Sequence, residues 1–162
     1  MDLVLWRHAQ AEQEESGKPD LSRSLTSKGR KHARKMGEWL DASLPGNCRI
    51  LVSPALRTVQ TAQALNRKFR IEPALGPEMT VATILAAIDW PQSRDTVLIV
   101  GHQPSFGQLA AVLIGGNSQN WTIRKANAWW ISHRQQLNEE KFGDITNNYL
   151  RAVMGPELLR KY

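Results

Sequence analysis

Four side chains able to handle an anion stand just after apolar, strand-like segments of this chain. Arg7-His8 follows the run Leu3–Trp6, Arg57 lies one turn into the helix expected after Arg49–Val52, and His102 follows Thr96–Val100. Arginine offers a planar fork of N–H donors that matches the oxygens of a phosphoryl group, a grip that the point charge of lysine does not reproduce. A histidine that is neutral at one ring nitrogen is a nucleophile, and a second histidine adds a donor in either protonation state. Taken singly, each residue has an ordinary reading. Arg7 can be a strand-end arginine, His8 a hydrogen-bonded core histidine, Arg57 a surface ion pair with a residue such as Glu72, and His102 a cap on the helix opening at Pro104. Three separate strand ends carrying such groups point instead to one anion-handling site, if the strands run parallel and their ends meet.

The pattern of elements supplies that arrangement. Leu3–Trp6, Arg49–Val52 and Thr96–Val100 are short, continuously apolar runs suited to buried strands. Between them, Ala33, Met36, Gly37, Leu40 and Leu44 recur at helical spacing from Thr26 to Leu44, where Pro45-Gly46 stops the helix. Ser53-Pro54 reads as a cap and first-turn proline for a second helix running through Leu56, Val59, Ala62, Leu65 and Phe69. Ile71 marks a short third strand, Val81–Ile88 a helix, and Pro104 the first turn of another that ends at Gly115-Gly116-Asn117. Ala126–Ser132 and Asn148–Met154 read as strands, with Trp129-Trp130 in the sheet core. This βαβα rhythm predicts an α/β fold, a mostly parallel central sheet with helices on both faces, in one domain over residues 1–162. In such sheets ligands bind beyond the carboxyl ends of the strands.

Composition narrows the class. No apolar run approaches the ~18 residues of a membrane span, and MDLVLWRHAQ has no basic region ahead of its short apolar run, unlike a secretory signal. A single cysteine, Cys48, forbids an internal disulfide and fits a reducing cytoplasm. With four histidines in all, a Cys-rich zinc site is excluded, and no Asp/Glu/His cluster offers a metal site. The net charge of +6 comes from one segment, in which Arg23, Lys28, Arg30, Lys31, Arg34 and Lys35 lie between Leu21 and Gly37 without an acid. Such a helix is either a solvated face or an attractor of an acidic protein, a phosphorylated ligand or nucleic acid.

Four elements, in order, resemble the motifs of the histidine phosphatase superfamily, which includes cofactor-dependent phosphoglycerate mutases and acid phosphatases. They are LVLWRHAQAE (Leu3–Glu12), LTSKG (Leu25–Gly29), SPALRTVQTA (Ser53–Ala62) and VGHQP (Val100–Pro104), and they span about the first two-thirds of the chain. The short length and Ala9 after the histidine, where most relatives carry glycine, are similar to the SixA type, bacterial phosphohistidine phosphatases that act on proteins. The resemblance implies a phosphoglycerate mutase-like three-layer sandwich. It also implies His8 as phosphoryl acceptor, Arg7, Arg57 and His102 as the other members of the phosphate pocket, and no cofactor or metal. Many members use a glutamate between the SPxxRT helix and the second histidine as proton donor, and Glu78 is the candidate here. Its surroundings, GPEMT, depart from their motif, which favours a leaving group that needs little acid, such as a phosphorylated imidazole. About 40 residues separate Arg57 from the strand at Thr96, mostly taken up by helices, so no large lid is expected and a side chain on a protein surface fits the pocket. A phosphatase of small phosphomonoesters or nucleotides is the enzymatic alternative. A basic phosphopeptide- or nucleic-acid-binding module is the other, and it lacks aromatic residues interleaved with the basic segment. The expected partner is thus a phosphorylated protein or small phosphorylated substrate, not nucleic acid or membrane, with the oligomeric state left open.

Overall fold

The computed structural model describes residues 1–134 and 147–160. Six strands form one sheet: β1 (Asp2–Arg7), β2 (Arg49–Val52), β3 (Arg70–Ile71), β4 (Thr96–Gly101), β5 (Ala128–His133) and β6 (Asn148–Met154). Their order is β3-β2-β4-β1-β5-β6. The first four are mutually parallel, whereas β5 runs antiparallel to both β1 and β6. This is the mostly parallel sheet that the alternation of elements predicts, with an antiparallel margin supplied by β5.

Successive strand residues point to opposite faces, so an apolar strand serves two helical layers at once. From β1, Val4 and Trp6 pack with Met36 and Leu40 of α1 (Ser27–Ser43) and Ala62 of α2 (Leu56–Gln63). Leu3 and Leu5 pack on the other face with Ile84 of α3 (Val81–Ala87) and Phe106 and Leu109 of α4 (Ser105–Ala110). Trp130 is buried on the α1 side of β5, while Trp129 is half-buried against the opposite layer. Helix α1 starts cleanly because Thr26 Oγ1 accepts from the Gly29 N–H, one of the donors a helix start leaves unpaired.

Four boundaries differ from expectation. Helix α2 begins at Leu56 with Ala55 as its cap, because Ser53 and Pro54 stay outside the helix. It stops at Gln63, short of Phe69, since Asn66 takes a left-handed conformation at φ 57°; Leu65 is nevertheless buried, which carried the helical periodicity past the helix itself. Pro104 caps α4, whose last turn widens to a π-helix over Ala111–Gly115 and ends at Gly116 (φ 79°). Strand β5 starts two residues late because Ala126 is also left-handed (φ 63°). Among the described residues, no helix is long and apolar enough to cross a membrane.

Candidate active site

The carboxyl ends of β1 and β4 and the start of α2 bring Arg7, His8, Arg57 and His102 around one pocket of about 220 Å³. Ala11, Arg23, Pro77, Gln103 and Lys125 complete its lining. The imidazole centroids of His8 and His102 lie 5.3 Å apart. His8, Arg57 and His102 are all more than nine-tenths buried.

His8 is clamped from several directions. Its N–H donates to Gly101 O of β4 at 3.1 Å and its carbonyl accepts from Ala126 N at 3.1 Å. The next residue, Ala9, donates to Thr61 Oγ1 at 3.1 Å, and Gln60 Oε1 accepts from Leu25 N at 2.7 Å. The polar residues of the SPALRTVQTA segment therefore tie down the loops on either side of the pocket. His8 Nδ1 lies 2.7 Å from the Ala9 carbonyl, which can only accept, so Nδ1 carries the proton and Nε2 holds the free lone pair. Burial keeps this ring neutral, pushing its pKa down to about 4; the Ala9 bond works against that, and the charges of Arg57, Arg7 and Lys125 add to it.

Three buried donors around the pocket have no hydrogen-bond partner among the described residues: Arg7 Nε, Arg57 Nε and His102 Nδ1. Other donors of the arginines are anchored. Arg7 Nη1 donates to Ile123 O at 2.8 Å. Arg57 Nη1 and Nη2 donate to the main-chain oxygen and carboxylate of Asp20, at 3.0 and 3.1 Å. Burial pulls both guanidinium pKa values below the ordinary arginine range. His102 Nε2 lies 2.7 Å from Ser53 Oγ, which accepts from Ala55 N at 3.3 Å. The serine proton is thus available to His102 Nε2, and in that tautomer Nδ1–H is the unpaired donor. Burial, then the neighbouring His8 and Arg57, push the His102 pKa down to about 3. An unpaired buried donor is costly, and an anion held in the pocket is the kind of partner such donors lack.

Glu78 lies outside this constellation. Its neighbour Pro77 forms part of the pocket wall, but Glu78 itself is exposed and lines an adjoining groove with Met79, Thr80, Pro104 and Gln108. Conversely, Asp20, Arg23, Lys125 and Ser53 join the site without having been singled out from sequence. Asp20 and Arg23 sit in a single 3₁₀ turn and its cap, Asp20–Ser22, a loop with no periodicity to mark it. Arg57 pairs with Asp20, and Glu72 with Arg70.

Fold and site together define an α/β enzyme with a cationic cleft at the carboxyl edge of its sheet. The model of the histidine phosphatase superfamily (branch 1) matches residues 3–80. The phosphohistidine phosphatase SixA homolog of Haemophilus influenzae is 30% identical over 130 residues, 71% of this chain and 78% of that one. Phosphohistidine phosphatase SixA of Escherichia coli K12 is 29% identical over 126 residues, 73% of this chain and 77% of that one. A solved structure of the protein histidine phosphatase SixA complexed with tungstate superposes with a TM-score of 0.79 at 24% identity, covering 99% of this chain and 100% of the other. The chain belongs to the histidine phosphatase superfamily, in its SixA type, and is a phosphatase.

Proposed function

We propose that this phosphatase removes phosphate from phosphohistidine on a protein, without a metal, through a phosphohistidine intermediate on His8. The observation that carries the reading is the group of three partnerless buried donors, Arg7 Nε, Arg57 Nε and His102 Nδ1, around a histidine whose Nε2 is unprotonated. His8 Nε2 forms a bond to phosphorus as the bond from phosphorus to the substrate nitrogen breaks, and the substrate ring, already protonated at its other nitrogen, leaves with that electron pair as neutral imidazole. Water then attacks phosphorus, the His8–phosphorus bond breaks, inorganic phosphate departs and the ring returns to its neutral form. Little covalent work is asked of the protein; neutralising and orienting the equatorial oxygens is the main task, and the two arginines with His102 perform it.

The substrate class follows from access and leaving group. Between α2 and β4 the chain is spent on β3, the Pro73–Leu75 turn and α3, leaving no long insertion over the pocket. A side chain presented by another protein can reach such a site. General acid catalysis contributes roughly 10²–10⁴-fold when an alkoxide must leave, whereas a phosphorylated imidazole leaves with less help. The exposed position of Glu78, one residue beyond the pocket wall, supports a substrate of the second kind and reserves Glu78 as acid for oxygen leaving groups.

The test is competition, in chelator, between a phosphohistidine-bearing protein domain and an alkyl phosphomonoester such as β-glycerol phosphate, with wild type and Glu78→Gln. The expected result is a higher kcat/KM on the protein, with the glutamate substitution slowing the phosphomonoester far more than the phosphohistidine. Turnover of nucleotides or sugar phosphates exceeding that of every phosphohistidine protein would reassign the enzyme to small substrates.

A further inference from the structure

A second depression adjoins the phosphate pocket and shares two of its walls, Arg7 and Lys125. It measures about 310 Å³ and lies between the first turns of α1 and the loop that precedes β5. From α1 it receives Lys28 and His32, one turn apart; from the loop it receives Arg124 and Lys125. Of the basic residues on α1, Arg30, Lys31, Arg34 and Lys35 do not line it. Lys28, Arg124 and Lys125 make no ion pair among the described residues, although Arg23, Arg49, Arg57, Arg67 and Arg151 all do. Among the described residues, one carboxylate, Glu157, stands against the four cations Arg7, Lys28, Arg124 and Lys125 in the same wall.

The loop is built to hold its cations still. Ala126, at φ 63°, is in a conformation that residues other than glycine, asparagine and aspartate seldom adopt. Its N–H donates to His8 O at 3.1 Å, and its carbonyl accepts from the buried Trp6 Nε1 at 2.9 Å. Asn127 N donates to Arg124 O at 3.0 Å, closing the turn that carries Arg124 and Lys125, and Arg7 N donates to Asn127 O at 3.1 Å. The backbone bearing these two cations is therefore fastened directly to the strand end that bears His8.

We infer that this depression is a carboxylate-binding subsite that seats acidic side chains flanking the phosphohistidine of a protein substrate. The inference rests on the phosphohistidine reading above and adds to it a sequence preference around the target. Charge complementarity selects the occupant: the excess of cations calls for an anion, and the shared walls place that anion next to the phosphoryl group. Nucleic acid is a poorer fit, since among the described residues no Phe, Tyr or Trp lines the depression to stack a base, and its cations form two opposed groups instead of a track.

The experiment uses two decapeptides with one central phosphohistidine, flanked in one by glutamates and in the other by glutamines. Wild type should favour the glutamate peptide in kcat/KM by about tenfold, the combined effect of several part-exposed ion pairs. Lys28→Glu and Arg124→Glu, each at an exposed position outside the phosphate pocket, should abolish or invert the preference while p-nitrophenyl phosphate turnover stays within twofold. Equal wild-type rates on the two peptides would overturn the subsite. So would a preference that survives both reversals, or a single-stranded oligonucleotide inhibiting p-nitrophenyl phosphate turnover more strongly than the glutamate peptide at matched charge. The unphosphorylated peptides are also read as inhibitors of that turnover, so the subsite is tested even if neither phosphopeptide is hydrolysed. That last result would overturn the phosphohistidine reading alone.

Discussion

Asp20 grips Arg57 at both terminal nitrogens, with its main-chain oxygen 3.0 Å from Nη1 and its carboxylate 3.1 Å from Nη2. Arg23 Nε holds the other carboxylate oxygen at 2.9 Å. Partial burial works against ionisation of Asp20, but the bonds and charges of Arg23 and Arg57 outweigh it, so its carboxyl sits below the ordinary range. The arrangement leaves Arg57 Nε without a partner among the described residues and fixes the plane of the guanidinium. Asp20 is thus a positioning residue acting through Arg57.

Asp20→Asn should lower kcat by roughly three- to tenfold, a modest figure because the carboxylate is part-exposed and screened. The KM for an aryl phosphate should stay unchanged or fall, because a carboxylate near the pocket repels the incoming anion. Steady-state kinetics separate the two parameters. A rise in KM at constant kcat would mean that Asp20 serves substrate binding and does not orient the arginine.

Protonation of the two histidines gives a pH signature. His8 titrates at about 4 and His102 at about 3 in the folded chain, below the 6.5 of an unperturbed imidazole. As pH falls below 6.5 the unfolded chain takes up these protons first, so stability is fully present above that pH and declines until the folded rings themselves titrate. Urea midpoints at pH 7.5, 5.5 and 4.5 should therefore decrease, and His8→Ala should decrease less steeply. On the same grounds kcat/KM, corrected for ionisation of the substrate, should hold its plateau well below pH 6.5. An acid limb centred near 6.5 would show that His8 is not neutralised by its surroundings.

The parts of this site that were readable from sequence are those that strand pattern places. Arg7, His8 and His102 follow apolar runs, and a parallel sheet brings the ends of such runs together whatever the loops do. Arg57 was readable through helical spacing after β2, even though the helix starts two residues later than Ser53-Pro54 suggested. Asp20 and Lys125 were not readable, because the first lies in a one-turn loop and the second follows β4 by more than 20 residues of connection. Their place beside the pocket comes from single hydrogen bonds, such as Ala126 to His8, that no periodicity encodes. The second bond of Ser53 was hidden for a similar reason: a serine before proline announces a cap, whereas its hydroxyl is engaged with His102 across 49 positions of sequence.

Arg57→Lys tests whether the fork or the charge matters. Lysine keeps a positive charge but loses the Nε donor and the paired grip on Asp20. Losing one hydrogen bond to a charged group costs about 1.5–3 kcal/mol, or roughly 10- to 150-fold in rate. The fall should appear in kcat/KM for every substrate, since all share the phosphoryl group. A value within twofold of wild type would place Arg57 outside the transition-state contacts.

The Ser53 hydroxyl can set which nitrogen of His102 carries the proton. Ser53 is fully buried, and among the described residues its oxygen is the partner of His102 Nε2. With Ala55 N donating to that oxygen, the hydroxyl keeps its own proton to give, and where it gives it to Nε2 the ring proton sits on Nδ1. Ser53→Ala removes the director and leaves Nε2 unpaired in an apolar surrounding, at a stability cost of about 1–3 kcal/mol. The neutral ring then has no reason to keep its proton on Nδ1, and kcat/KM should fall about tenfold as the productive tautomer becomes a minority. Nitrogen-15 chemical shifts of His102 report the tautomer directly, without reference to activity. The expected spectrum has Nδ1 protonated in wild type and a shift toward Nε2 protonation in Ser53→Ala. Lost activity with an unchanged tautomer would assign Ser53 a purely structural part, in holding the turn that leads from β2 into α2.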